Sequence, residues 1–186
     1  MTNTQTYYGL THVFDSRSDN PTTTLKAGKG EILEVTGRFS EAALTAYRSA
    51  AAIYLSSPAA TSATISTWTK IAGSTASINL YNFTAFPSNK LIYTGAVAGL
   101  AHINYTVSAT GSTSDVVTFG LSKNGGTPVA DSWIETTVVG GVILSVSGSA
   151  NILLTSTDYV EVFLLNTSSG DNVTATKLNI NIIGMF

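Results

Sequence analysis

Acid–base and metal chemistry need histidines and carboxylates brought close together, and this 186-residue chain supplies few of either. It has two histidines, His12 and His102, no cysteine, and no acid between Glu41 and Asp115. His102 alternates with Asn104 and Thr106, which places it on the polar side of a strand, at the surface or between subunits. His12 stands near Asp15 and Asp19 in an oxygen-rich loop that lacks the glycine and terminal glutamate of a calcium loop. From Asp115 onward the acids are Asp115, Asp131, Glu135, Asp158, Glu161 and Asp171. Asp115, Asp158 and Asp171 fall in turn sequences, where aspartate bends and caps the chain. Glycoside hydrolysis needs two carboxylates within reach of one another, which leaves Glu135 and Glu161, and a solvated or interfacial role fits both. No Gly-rich phosphate loop follows a strand and opens a helix. The expectation is a protein without catalytic residues, metal or cofactor. Trp68, Trp133 and Tyr81 could form a sugar-stacking platform, with Trp133 and Tyr81 as glycan contacts, or cover the edges of a core or an interface.

The elements that would carry these residues are strands. In Asp115-Val-Val-Thr-Phe-Gly-Leu-Ser122, Val117, Phe119 and Leu121 share one side and Val116, Thr118, Gly120 and Ser122 the other, the period of a half-buried strand. Asn124-Gly125 then supplies the positive φ of a tight hairpin, with Pro128 limiting how far pairing resumes. Tyr159 to Leu165 differs, because Val160, Val162 and Leu164 make one apolar row while Tyr159, Phe163 and Leu165 make a second, broken by Glu161. In a two-layer sandwich only one row meets the core, so the other must meet solvent, a flanking segment or another subunit.

Composition agrees with that architecture. Apolar residues are 44% of the chain and charged ones 11%, so the polar surface must come from Ser, Thr, Asn and Gly, which favour strands and turns. A net charge of −2 with no basic run offers nothing to neutralise phosphate, so nucleic acid is not an expected partner. The start lacks a basic region followed by an apolar run, and no stretch is long and apolar enough to cross a bilayer, which predicts a chain made in the cytosol without a signal peptide.

Ten strands are predicted near 67–71, 77–83, 90–93, 102–108, 115–122, 132–138, 142–146, 151–154, 159–165 and 174–183, the spacing of a sandwich or jelly roll. Ser40 as N-cap, the Ala-rich run after it, and Leu44, Tyr47, Ala51 and Tyr54 at helical spacing predict a helix over 40–55. Its stripe would pack on its own chain or around a symmetry axis. Residues 1–37 predict two short strands and loops, and Pro58 with its Ser, Ala and Thr neighbours reads as a linker. Residues 1–64 thus form an arm and 65–186 a single domain.

With the strands in place, residues 67–186 show the succession Trp68-Thr-Lys-Ile71, Leu80-Tyr-Asn-Phe83, Leu91-Ile-Tyr-Thr-Gly95, Ile103-Asn-Tyr-Thr-Val107, Phe119-Gly-Leu-Ser-Lys-Asn-Gly125 and Asp158-Tyr-Val-Glu161 with Asn166. This succession resembles the compact jelly-roll modules of the tumour-necrosis-factor and C1q type, as they recur in phage head fibres, tail fibres and spikes. It implies an all-β antiparallel jelly roll and a homotrimer with Tyr159, Phe163 and Leu165 at the subunit contact. It further implies a non-enzymatic bacteriophage virion protein, a head fibre or capsid decoration attached through its N-terminal arm to capsid or tail proteins. The alternative is a tail fibre or spike that recognises a host surface glycan. A third reading, the coat protein of a small virus, meets the lack of a basic arm to neutralise packaged RNA.

Overall fold

The computed structural model describes residues 2–7, 10–15, 48–86 and 88–185. The chain divides into two units, Met1–Phe39 and Ser40–Phe186. In the first, β1 (Thr2–Tyr7) and β2 (Leu10–Asp15) pair antiparallel, Thr2 opposite Asp15 and Tyr7 opposite Leu10. The expected strand at Ile32–Val35 and the loop holding Asp19 lie outside the described residues.

The second unit is two antiparallel sheets around one core. One sheet, in the order β12-β9-β14-β3-β6, is built from β3 (Arg48–Pro58), β6 (Gly73–Tyr81), β9 (Gly99–Gly111), β12 (Leu144–Leu154) and β14 (Val173–Met185). The short β4 (Ala60–Thr61) joins it beside β14. The other sheet, in the order β11-β10-β13-β8-β7, holds β7 (Phe83–Phe86), β8 (Lys90–Tyr93), β10 (Asp115–Lys123), β11 (Ile134–Val138) and β13 (Tyr159–Asn166). There β5 (Thr69–Lys70) pairs with β13. Alternation decides what lies inside: Ile103, Tyr105, Val107, Ile180 and Ile182 from the first sheet meet Val117, Phe119, Leu121, Val162 and Leu164 from the second, all buried. Fully burying one such side chain contributes about 1.5–3 kcal/mol.

The all-β antiparallel expectation stands, and two local expectations do not. The helix predicted over 40–55 is a strand from Arg48 to Pro58, and its first part, residues 40–47, lies outside the described residues. The reason is tertiary. β14 needs a partner on its open side, and β3 supplies it while burying Ala51 and Ile53 in the core. Ladder hydrogen bonds and that burial outweigh a helix preference of a few tenths of a kcal/mol per residue. Because β3 is an interior strand of the sandwich, the expected boundary at 64/65 falls inside the second unit.

The second difference is β12, one strand of eleven residues where two were expected, 142–146 and 151–154. Gly148, in the gap between the two, is a core-facing position left empty, since a Cβ there would lie 2.5 Å from the Tyr105 ring. The vacated space lets Tyr105 cross the core, where its hydroxyl donates to the carbonyls of Phe119 (3.0 Å) and Ser132 (2.7 Å), the latter in a short 3-10 turn, Ala130–Ser132. Burial pushes the Tyr105 phenol above its ordinary pKa, so it stays a donor at neutral pH.

The hairpin after β10 forms as its Asn-Gly pair requires. Asn124 and Gly125 have φ of 55° and 69°, and Gly126 N–H donates to the Lys123 carbonyl (3.1 Å), the geometry of a type I′ turn. Asp158, in the turn before β13, ties this hairpin down. It accepts from Asn124 Nδ2 (2.6 Å) and from Thr155 N and Oγ1 (both 2.8 Å), and pairs with Lys123 (2.7 Å). Burial alone would raise its pKa, but the hydrogen bonds from Asn124, Lys123 and Thr155 prevail and hold the carboxyl well below the usual carboxylate range. A depressed folded pKa contributes stability above the unfolded value of about 3.9, and the contribution is lost as pH falls below it. Denaturant midpoints are therefore expected to fall from about pH 4 downward, and Asp158→Asn to flatten that decline while losing about 1.5–3 kcal/mol at neutral pH.

Candidate functional site

The two strand glutamates expected to be poor chemistry are set apart by the register. Glu135 stands opposite Thr118 and Glu161 opposite Ser122, four residues apart along β10 and on strands to either side of it. That is about 13 Å along the strand alone, beyond the roughly 5–9.5 Å of paired glycosidase acids. Asp115 and Asp171 are linked by Thr113, whose hydroxyl reaches a carboxylate oxygen of each (3.2 and 2.8 Å), and Ser169 also donates to Asp115 (2.8 Å). Those contacts fasten loops. Among the described residues, no three His, Cys, Asp or Glu side chains gather closely enough to hold a metal ion. No described helix is long and apolar enough to cross a membrane.

Two surfaces remain. The first is the outer face of the β13 sheet. Glu161 points outward yet is 3% exposed, because Lys70 (3.0 Å) and Lys90 (3.9 Å) both approach its Oε1. Lys90 also lies 3.7 Å above the Tyr159 ring. Phe163 stands in register with Lys70 on one side and Gly120 on the other. Trp133 lies over that glycine: a Cβ on Gly120 would come within 3.0 Å of the indole and 2.9 Å of Pro128. The Trp133 ring nitrogen donates to the Pro128 carbonyl (3.1 Å), and Trp68 packs against Trp133 with centroids 5.3 Å apart and planes tilted by 47°. Trp68 and Lys70 share this face because they are two residues apart. The second apolar row, Tyr159, Phe163 and Leu165, is half-buried within its own chain.

The second surface is the outer face of the sheet containing β9. Its rows, read across β12, β9, β14 and β3, are Asn151–His102–Ile183–Ala50, Ser149–Asn104–Asn181–Ala52 and Ser147–Thr106–Asn179–Tyr54. None of these positions carries a formally charged side chain. Cross-strand hydrogen bonds join His102 Nδ1 to Asn151 Oδ1 (2.8 Å) and Thr106 to Ser147 (3.0 Å). At one end stand Leu100 and Leu153, each 57% exposed, and Ile183, 65% exposed; Tyr54, Ile78 and Tyr81 extend the apolar surface over β3 and β6. His102 thus keeps the polar-side position its alternation implied.

Of the residues read from the sequence as glycan contacts, Trp133 lies on the outer face of one sheet and Tyr81 on that of the other, so they do not form one platform. Lys70, Lys90 and the apolar trio Leu100, Leu153 and Ile183 escaped the sequence reading. A signal existed for two of the trio. Ile183 breaks the alternation of Asn-Ile-Asn-Ile-Ile just as Leu153 breaks that of Asn-Ile-Leu-Leu, the same irregularity noticed at Phe163 and Leu165.

No family model and no curated protein matches the chain. Solved structures do. The globular domain of zebrafish complement 1qA matches with a TM-score of 0.50 and 13% identity, over 73% of this chain and 96% of that one. The Eiger TNF from S. frugiperda matches with a TM-score of 0.52 and 12% identity, over 75% and 93%. The PRD1 vertex protein P5 matches with a TM-score of 0.44 and 14% identity, over 74% and 95%, a likeness too slight to carry an argument.

Proposed function

We propose, from the premise that this chain is a jelly roll of the TNF and C1q type, that it is a non-enzymatic structural protein of a bacteriophage particle, acting as a homotrimer. The observation that carries self-association is the outer face of the β9 sheet, where large apolar side chains border rows of neutral amides and hydroxyls. Apart from Lys177 beside Ser108, these rows carry no charge to repel a copy, and their amide and hydroxyl groups both donate and accept. Burying Leu100, Leu153 and Ile183 contributes about 1.5–3 kcal/mol for each side chain. The row Tyr159, Phe163 and Leu165 is the weaker contact, since its own chain already covers most of it. The place on the particle, as head fibre or capsid decoration with the N-terminal residues attached to capsid or tail proteins, rests on the sequence resemblance to phage fibre modules.

Light scattering on the full chain tests the assembly. A trimer is expected at micromolar concentration, with Ile183→Lys giving a monomer and Phe163→Lys leaving the mass unchanged. The reverse pattern would move the contact to the β13 row, and a monodisperse wild-type monomer would overturn the trimer. Host-surface glycan recognition draws on a separate observation, the exposed Trp133 seated beside Trp68.

A further inference from the structure

We propose that the outer face of the β13 sheet holds a binding site for an anionic saccharide, in which Trp133 and Trp68 stack on the sugar and Lys70 meets its carboxylate. The inference extends the glycan reading and is independent of the particle role.

Three features mark the face as a built site. The indole of Trp133 is 44% exposed but held in place: Gly120 leaves room beneath it, Pro128 packs beside it, and its ring nitrogen is already bonded to the Pro128 carbonyl. A large aromatic surface fixed in advance loses little freedom when a ligand arrives, which is the condition for stacking to yield affinity. The 47° tilt between the two indoles makes a bent platform, suited to consecutive sugar rings that are not coplanar.

The charge is local and net positive. Two lysines converge on the one carboxylate of Glu161, so the cluster carries a net charge of +1 within a chain whose total is −2. Lys70 is a third exposed and on the same face as Trp68, so its ammonium has donors to spare beyond the one aimed at Glu161. Glu161 aside, the next strand acid on this face, Glu135, belongs to β11, three strand spacings or about 14 Å from β5, so it does not cancel that net charge at the Lys70 end. A neutral sugar could use the indoles but not the ammonium. A uronic or sialic acid uses both.

Trp68 and Trp133 are the only tryptophans in the chain, so indole fluorescence reports on this face alone. The full-length protein is titrated with trigalacturonate and with 3′-sialyllactose, using maltotriose and lactose as uncharged controls. A saturable emission change is expected with an acidic probe, at least about tenfold weaker for the uncharged sugars, and weakened by added salt. Trp133→Ala and Lys70→Gln should each weaken binding about tenfold or more, and Gly120→Ala should weaken it by unseating the indole, with near-ultraviolet circular dichroism confirming that each variant is folded. No saturable change of the wild type with either acidic probe overturns the proposal, as does an equal response to the uncharged sugars. A changed solution mass on Trp133→Ala or Lys70→Gln also overturns it, because the face would then be a contact between copies.

Discussion

Tyr105→Ala is expected to lower stability by about 3–5 kcal/mol, the loss typical of truncating a buried aromatic side chain. Two effects add here. The ring fills the space opened by Gly148, and the hydroxyl joins the two sheets by donating to carbonyls on β10 and in the turn at Ser132. Tyr105→Phe separates them: it keeps the ring, leaves two buried carbonyls without that donor, and should lose about 1–3 kcal/mol. Gly148→Ala approaches the same contact from the other side, placing a methyl against the ring at a loss of about 1–3 kcal/mol. In a Tyr105→Leu background Gly148→Ala should lose less, and denaturant unfolding of the four proteins gives the coupling between the two positions. Additive losses would show that the ring and the glycine do not share one space.

The double change Lys70→Gln with Lys90→Gln is expected to lose about 3–5 kcal/mol, measured by the same unfolding experiment. It leaves Glu161, 3% exposed, as a buried carboxylate without a cation. Either single change should lose much less, because the other lysine remains at 3.0 or 3.9 Å and each is partly solvated. Adding Glu161→Leu to the double change should restore most of the loss, since replacing a buried ion cluster with apolar groups is commonly neutral. If the double change alone is harmless, water screens Glu161 and the cluster contributes nothing to the fold.

The strands were legible where one rule governs a position. Val117, Phe119 and Leu121 alternate because the core is on one side, and Asn124-Gly125 turns because its dihedrals leave no alternative. They were illegible where a distant partner decides. The Ala-rich run from Ser49 is a good helix sequence until β14 offers it an edge, and no local pattern announces an edge formed more than a hundred residues away. Nothing in the neighbourhood of Gly148 shows that the residue opposite, Tyr105, needs the room. The candidate site divides in the same way. Trp133 and Trp68 were visible as exposed aromatics in prospect, whereas the pairing of Lys70 with Glu161 spans 91 residues and exists only in the fold.

β14 is synthesised after every other described strand, yet it is interior to its sheet, hydrogen-bonded to β9 on one side and β3 on the other. Until it leaves the ribosome, that sheet exists as two separated pieces, each presenting an unpaired edge more than ten residues long. A ribosome that stops short of residue 173 therefore releases a chain with the core still divided and two edges ready to pair with whatever strand they meet. Synthesis of β14 acts as a checkpoint, and chains truncated before it should be found in aggregates instead of in the soluble protein.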